Sequence, residues 1–208
     1  MSFFAASSVA AQEVDNELWI DQNFSFTLSP RTALRLQHVN RFDENVSNFA
    51  TSFLQVGVRF KVRSWLSLTP WFRHLRANPF DANSRFENRL LLDAGFATRR
   101  GRWHPNLRAR FERRFIEAQK AFFRFRIRPG VQYKLPVRWQ RRPALDFANE
   151  LSYDTRADRL NRNRFRVGIL LPATAKFSLR PYYMVESNRL PTRWDHDNIW
   201  GVSLYWNF

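Results

Sequence analysis

The 208-residue chain has no cysteine, so neither a disulfide framework nor a thiolate metal site can be built from it. It also has no apolar run approaching the roughly 18 residues that a membrane-crossing helix needs. That absence leaves strands open, because a spanning strand needs only about 9–11 alternating residues. Glycine-rich phosphate loops, metal-ligand clusters and nucleotide motifs are missing too, so no cofactor is expected. Lysine is scarce: among 34 basic residues it occurs only as Lys61, Lys120, Lys134 and Lys176. The rest are arginines, and a net charge of +16 first suggests nucleic acid or an anionic surface. Nucleic-acid binders generally mix the two bases, whereas arginine in excess suits fixed, bidentate contacts to carboxylates or phosphates. With 21 phenylalanines alongside, the chain needs two well-separated faces.

Those faces are legible as alternation with period two, the mark of a strand. Phe123, Phe125, Ile127, Val131 and Tyr133 alternate with Arg124, Arg126, Arg128, Gly130 and Gln132. Leu54, Val56, Val58 and Phe60 alternate likewise with Gln55, Gly57, Arg59 and Lys61. Eleven such segments can be counted, with Pro70 as a local cost inside one of them. Connections near 29–31, 63–65, 98–102, 134–142 and 172–175 read as mostly short. Those near 43–48, 77–83, 155–162 and 187–197 read as longer and polar. A soluble sandwich buries its apolar face and solvates the polar one. Large hydrophobics opposite charges on nearly every strand fit better with a closed barrel in lipid, whose backbone has no free edge. The expected fold is therefore an all-β, transmembrane, antiparallel up-and-down β-barrel of 10–12 strands. Twelve is favoured because such barrels have even counts. Trp65, Trp103, Tyr133, Trp139, Trp206 and Phe208 fall at the ends with short turns, as an aromatic girdle would.

The closing stretch carries Trp200, Val202, Leu204, Trp206 and Phe208 on one stripe, with Gly201, Ser203, Tyr205 and Asn207 between. It resembles the C-terminal signature strand of bacterial outer-membrane barrels, which implies recognition by the barrel assembly machinery through Trp200, Gly201, Val202, Leu204, Trp206 and Phe208. Further short motifs are Glu17-Leu18-Trp19, Leu28-Ser29-Pro30, Asn40-Arg41-Phe42, Arg-Phe-Glu at 85–87 and 110–112, Phe123-Arg124-Phe125-Arg126 and Asn163-Arg164-Phe165-Arg166. Together with the Tyr205–Phe208 end, they make the chain resemble a family of small proteobacterial outer-membrane barrels catalogued as a domain of unknown function. The resemblance implies a barrel in the bacterial outer membrane and no known activity. Residues 1–11 read as the remnant of a signal peptide, with one barrel domain over 12–208.

The inward row is the candidate site: Arg59, Arg73, Arg85, Arg89, Arg108, Arg110, Arg124, Arg126, Arg128, Arg164, Arg166 and Arg180, with Glu87, Asp93, Glu112 and Glu150. Two uses compete. Paired charges could fill a narrow barrel, or surplus arginine could line a pore for small anionic solutes. Bases outnumber acids about two to one along these strands, so complete pairing is excluded. Arg156, Arg159, Arg162, Arg189 and Arg193 are assigned to loops, where they could meet lipopolysaccharide phosphates. His38, His74, His104 and His196 are scattered, so catalysis is not expected. A lipid hydrolase on the barrel wall using His38 or His74 is the enzymatic alternative. A basic helix through Phe111, Phe115, Ala118 and Phe122 would suit nucleic acid, but the neighbouring segments have no helical period, so no nucleic-acid partner is expected.

Overall fold

The computed structural model describes residues 14–78, 84–137, 141–191 and 193–208. Residues 1–11 and Trp139, read above as leader remnant and girdle, lie outside the described residues. Among the described residues eleven strands follow one another: β1 (Asn16–Ser29), β2 (Thr32–Asp43), β3 (Asn48–Lys61), β4 (Leu66–Ala77), β5 (Arg85–Ala97), β6 (Trp103–Ile116), β7 (Phe122–Lys134), β8 (Ala144–Asp154), β9 (Arg159–Pro172), β10 (Phe177–Arg189) and β11 (Trp194–Asn207). Each pairs antiparallel with the next, and β1 closes on β11 to complete a barrel.

The favoured count of twelve and the wholly antiparallel layout are both corrected by this closure. Chain direction reverses at every turn, so the first and eleventh strands run the same way. They pair in parallel, from Asn16↔Asn198 to Ser25↔Asn207. With β1 and β11 occupying each other's edges, no strand edge is left open among the described residues.

The expected contrast between short turns and long loops is also absent. One rim, here the C-terminal rim, carries the connections 30–31, 62–65, 98–102, 135–143 and 173–176, together with Phe208. The N-terminal rim carries 44–47, 78–84, 117–121, 155–158 and 190–193. Strands run on through polar stretches such as Asn161–Asn163 and Asp195–Asp197, because ladder hydrogen bonds are made by backbone, whatever the side chains. Arg159, Arg162 and Arg189, assigned to loops from their polar surroundings, are accordingly strand residues.

Alternation sets which side faces in. On β7, Phe122, Arg124 and Arg126 are buried, while Phe123, Phe125 and Ile127 are exposed on the outer wall. The same inversion holds on β5, where Glu87, Arg89 and Asp93 are buried and Phe86, Leu90 and Leu92 exposed. The basic helix considered for residues 111–122 is thus replaced by two strands, β6 and β7, and their turn.

Pro70 is accommodated by a gap in one ladder. The β3–β4 pairs step from Gly57↔Trp71 to Phe60↔Leu68, while Pro70 still lies opposite Leu92 on its other side. Pro129 and Pro181 sit in like gaps, between Ile127↔Leu151 and Gly130↔Ala148, and between Leu179↔Leu171 and Tyr182↔Gly168. A proline lacks the N–H for one ladder bond, so pairing opens there without loss of the strand. Glycine is required where an inward ring lies flat on the neighbouring strand. The Tyr182 ring occupies the space a Cβ would take at Gly201, and the Trp71 indole does so at Gly57.

Candidate functional site

The lumen is charged, and its charges are ordered along the axis. From the N-terminal rim to the edge of the wider half, arginines and carboxylates from β5 to β10 form one continuous network. Glu87 accepts from Arg89 (2.8 Å) and from Arg114. Arg89 continues to Glu112 (3.7 Å), which also meets Arg126 (3.1 Å) and Arg110 (3.9 Å). Arg110 holds Asp93 with two hydrogen bonds of 2.5 and 2.7 Å. Arg126 passes the chain on to Glu150 (3.3 Å), which also takes Arg108 and Arg164 (3.5 Å). Arg164 and Arg162 then share Glu186, the latter at 3.2 Å. Arg124 pairs separately with Asp154 at 2.6 Å. Glu112 is wholly buried and Glu87, Glu150 and Glu186 nearly so. Only multiple short contacts of this kind offset the desolvation of buried ions.

The opposite wall, on β1 to β4, has few acids and binds arginine differently. The Arg41 guanidinium lies 3.7 Å from the Trp19 ring centroid, and Arg73 lies 3.9 Å from that of Phe53. Arg73 also donates twice to Gln55 Oε1, at 2.8 and 2.6 Å. Aromatic faces attract cations without supplying a counter-charge. Arg164 joins the two walls, because it lies 5.1 Å from the Trp19 ring as well as on Glu186. Trp19, Phe53, Arg73 and Glu150 line a cavity of about 140 Å³ that extends to Arg128 and Arg180.

Towards the C-terminal rim the lumen widens into cavities of about 560 and 800 Å³ that share Lys61, Arg128 and Arg180. Arg59, Arg108 and Arg128 line this vestibule. Arg166 and Arg180 also line it and converge on Asp146, at 2.8 and 3.3 Å. Arg85 does neither: it stands exposed at the start of β5.

Several residues that hold the lumen's charges were left out of the candidate row read from sequence: Trp19, Arg41, Phe53, Gln55 and Arg162, the last assigned to a loop. A signal existed for two of them. Trp19 and Phe53 are aromatics in phase with the polar inward rows of Asp21–Asn23 and Gln55–Arg59, where lipid contact does not account for them.

The terminal stripe forms the seam. Trp206 stacks on Phe24 at 4.7 Å between ring centroids, and Phe208 stacks on Phe26 at 5.1 Å. Phe208 N donates to Ser25 O (2.8 Å) and Thr27 N donates to Phe208 O (2.9 Å). Trp200 is exposed outward and packs on Tyr183 at 5.0 Å, whereas Gly201 faces in beneath Tyr182. Val202 and Leu204 complete the row opposite Ile20 and Gln22 of β1.

The histidines are dispersed. On the outer wall at the middle of β2 His38 Nε2 lies 3.2 Å from Ser52 Oγ, and Ser52 Oγ lies 2.9 Å from Asn40 Oδ1. A nucleophilic serine must donate to its histidine base. No group of three or more His, Asp or Glu side chains able to hold a metal ion is found among the described residues.

Fold and lumen together define a closed β-barrel with exposed apolar residues on its outer wall and ion-paired arginines and carboxylates buried in its lumen. The chain belongs to the family described as "Protein of unknown function (DUF2490)", whose model matches residues 16–197. No curated protein and no solved structure matches it.

Proposed function

We propose that the protein is an outer-membrane β-barrel of the bacterial envelope whose lumen is plugged by its own side chains. The observation that carries this reading is the ion-pair network from β5 to β10, joined through Arg164 to the aromatic wall at Trp19. The network and the aromatic wall face each other across a cavity of about 140 Å³.

Placement in lipid is supported by the outer wall. Leu54, Phe72, Leu90, Phe111, Phe125, Phe165 and Trp200 are all exposed, on seven different strands. Exposed apolar surface of this extent marks an interaction site, and on a barrel wall the matching solvent is lipid. The outward row of β7 runs from Phe123 to Tyr133. At about 3.4 Å per residue and a tilt of about 40°, that row projects to about 26 Å, close to the roughly 25 Å of an outer-membrane apolar band. Trp65 on Phe96 and Trp103 on Tyr133 ring its C-terminal edge. His74, Arg76 and Arg113 mark the opposite edge, where exposed Arg156 and Arg193 suit lipopolysaccharide phosphates. The signature-like strand β11 fits insertion by the barrel assembly machinery.

This reading includes no catalysis. The second reading, a narrow channel for small anions, draws on the arginine surplus of the vestibule. Refolding the chain into lipid vesicles tests the placement. Faster gel migration of unboiled than boiled protein, with the strands protected from protease, is expected. Failure to associate with vesicles would contradict it.

A further inference from the structure

Part of the charge surplus counted along the strands is gathered in one place. Arg35, Arg59, Lys61 and Arg128 all line the vestibule at the C-terminal rim, and none has an ion-pair partner among the described residues. The two carboxylates on the same walls are already engaged, Asp93 by Arg110 and Asp146 by Arg166 and Arg180. The buried Nε–H groups of Arg35, Arg108, Arg128 and Arg180 find no acceptor on the protein. Buried donors without acceptors are costly, and native structures leave few of them. These donors are open to oxygen acceptors from outside the chain, water or a bound anion.

We propose that the vestibule is a binding site for a small anion carrying two or more phosphate groups, of the pyrophosphate class. Guanidinium forks match phosphate oxygens in pairs. Five unpaired cations around one cavity, these four and Arg63, are poorly neutralised by a monovalent anion and well neutralised by a compact one of three or four charges. A cavity of about 560 Å³ lies within the range that encloses small ligands. The proposal rests on the plugged-barrel reading in one respect: with the lumen closed behind it, the vestibule is a blind pocket that retains its anion.

Isothermal titration calorimetry of the full chain, folded in detergent, with pyrophosphate at low ionic strength tests the site. Saturable binding is expected, weakened at least about tenfold by Arg128→Gln or Arg35→Gln, since a hydrogen bond to a charged group is worth that factor or more. Arg31→Gln, which removes an exposed charge from a turn on the same rim, should bind as the parent does. Heat-modifiable gel mobility checks that each variant is folded. If either buried-site variant fails to fold, Arg59→Gln at the open end of the same wall replaces it, with the same loss expected. No binding by the folded parent, equal binding by all variants, or citrate binding as tightly as pyrophosphate would overturn the proposal. Ion conduction with pyrophosphate binding intact would sink the plug and leave the site standing.

Discussion

Replacing Glu112 by glutamine should weaken the barrel sharply, although the side chain keeps its shape. Glu112 is fully buried and lies 3.1 Å from Arg126, 3.7 Å from Arg89 and 3.9 Å from Arg110. At an effective dielectric of about 20, each attraction amounts to about 4–5 kcal/mol before desolvation is counted. Desolvation of the carboxylate takes back most of the total. Removing one member of a buried ion pair is nonetheless strongly destabilising, by about 3–5 kcal/mol, because its partner's charge is left uncompensated. Here the loss is cushioned unevenly: Arg89 keeps Glu87, Arg110 keeps Asp93, and Arg126 keeps Glu150 at 3.3 Å. A net loss of about 3 kcal/mol, at the low end of that range, is expected for Glu112→Gln. The assay is equilibrium unfolding in guanidinium chloride from lipid vesicles, followed by tryptophan fluorescence. Adding Arg126→Gln should recover part of the loss, with a coupling of about 1–3 kcal/mol between neighbours in one network. A single variant within 0.5 kcal/mol of the parent, or a strictly additive double variant, would refute the reasoning.

Three further predictions concern the wall and the seam. Gly201→Ala drives a Cβ into the Tyr182 ring and should cost about 1–3 kcal/mol by overpacking, with Tyr182→Leu relieving the effect in the same unfolding assay. Phe125→Arg, on the exposed apolar wall, should cost about 2–4 kcal/mol in vesicles if that wall meets lipid, whereas a neutral result would argue for water there. Deleting Phe208 removes two backbone hydrogen bonds to β1 and the stack on Phe26, so unfolding should begin at the β1–β11 seam. Hydrogen exchange that loosens first at Ser25 and Thr27 supports this, and loosening confined to other strands opposes it.

The fold was legible because the outer wall and the lumen demand opposite chemistry from alternate residues, and rows such as Phe123–Ile127 against Arg124–Arg128 carry that demand unmixed. Closure was less legible. Strand parity decides whether the terminal strands meet parallel or antiparallel, and neither Leu18–Phe24 nor Trp200–Phe208 encodes its partner in its own pattern. Loop lengths misled for a related reason: Arg162 looked like loop because its neighbours are polar, yet in β9 it reaches Glu186. Polarity reports the solvent beside a side chain, whereas the strand continues for as long as backbone pairs. In the lumen, composition required that arginine exceed acid but could not say where. The structure places the paired charges from β5 to β10, gives Arg41 and Arg73 to Trp19 and Phe53, and leaves Arg35, Arg59 and Arg128 around a cavity. Which arginine meets which carboxylate depends on register across strands, which a single strand's sequence does not contain.

Planar-bilayer recording on heat-modifiable, refolded protein tests the plug most directly. A plugged barrel predicts no steady conductance from the parent protein in potassium chloride, and current steps once Glu112 and Glu150 are both replaced by glutamine. A steady, anion-selective conductance from the parent would contradict the account.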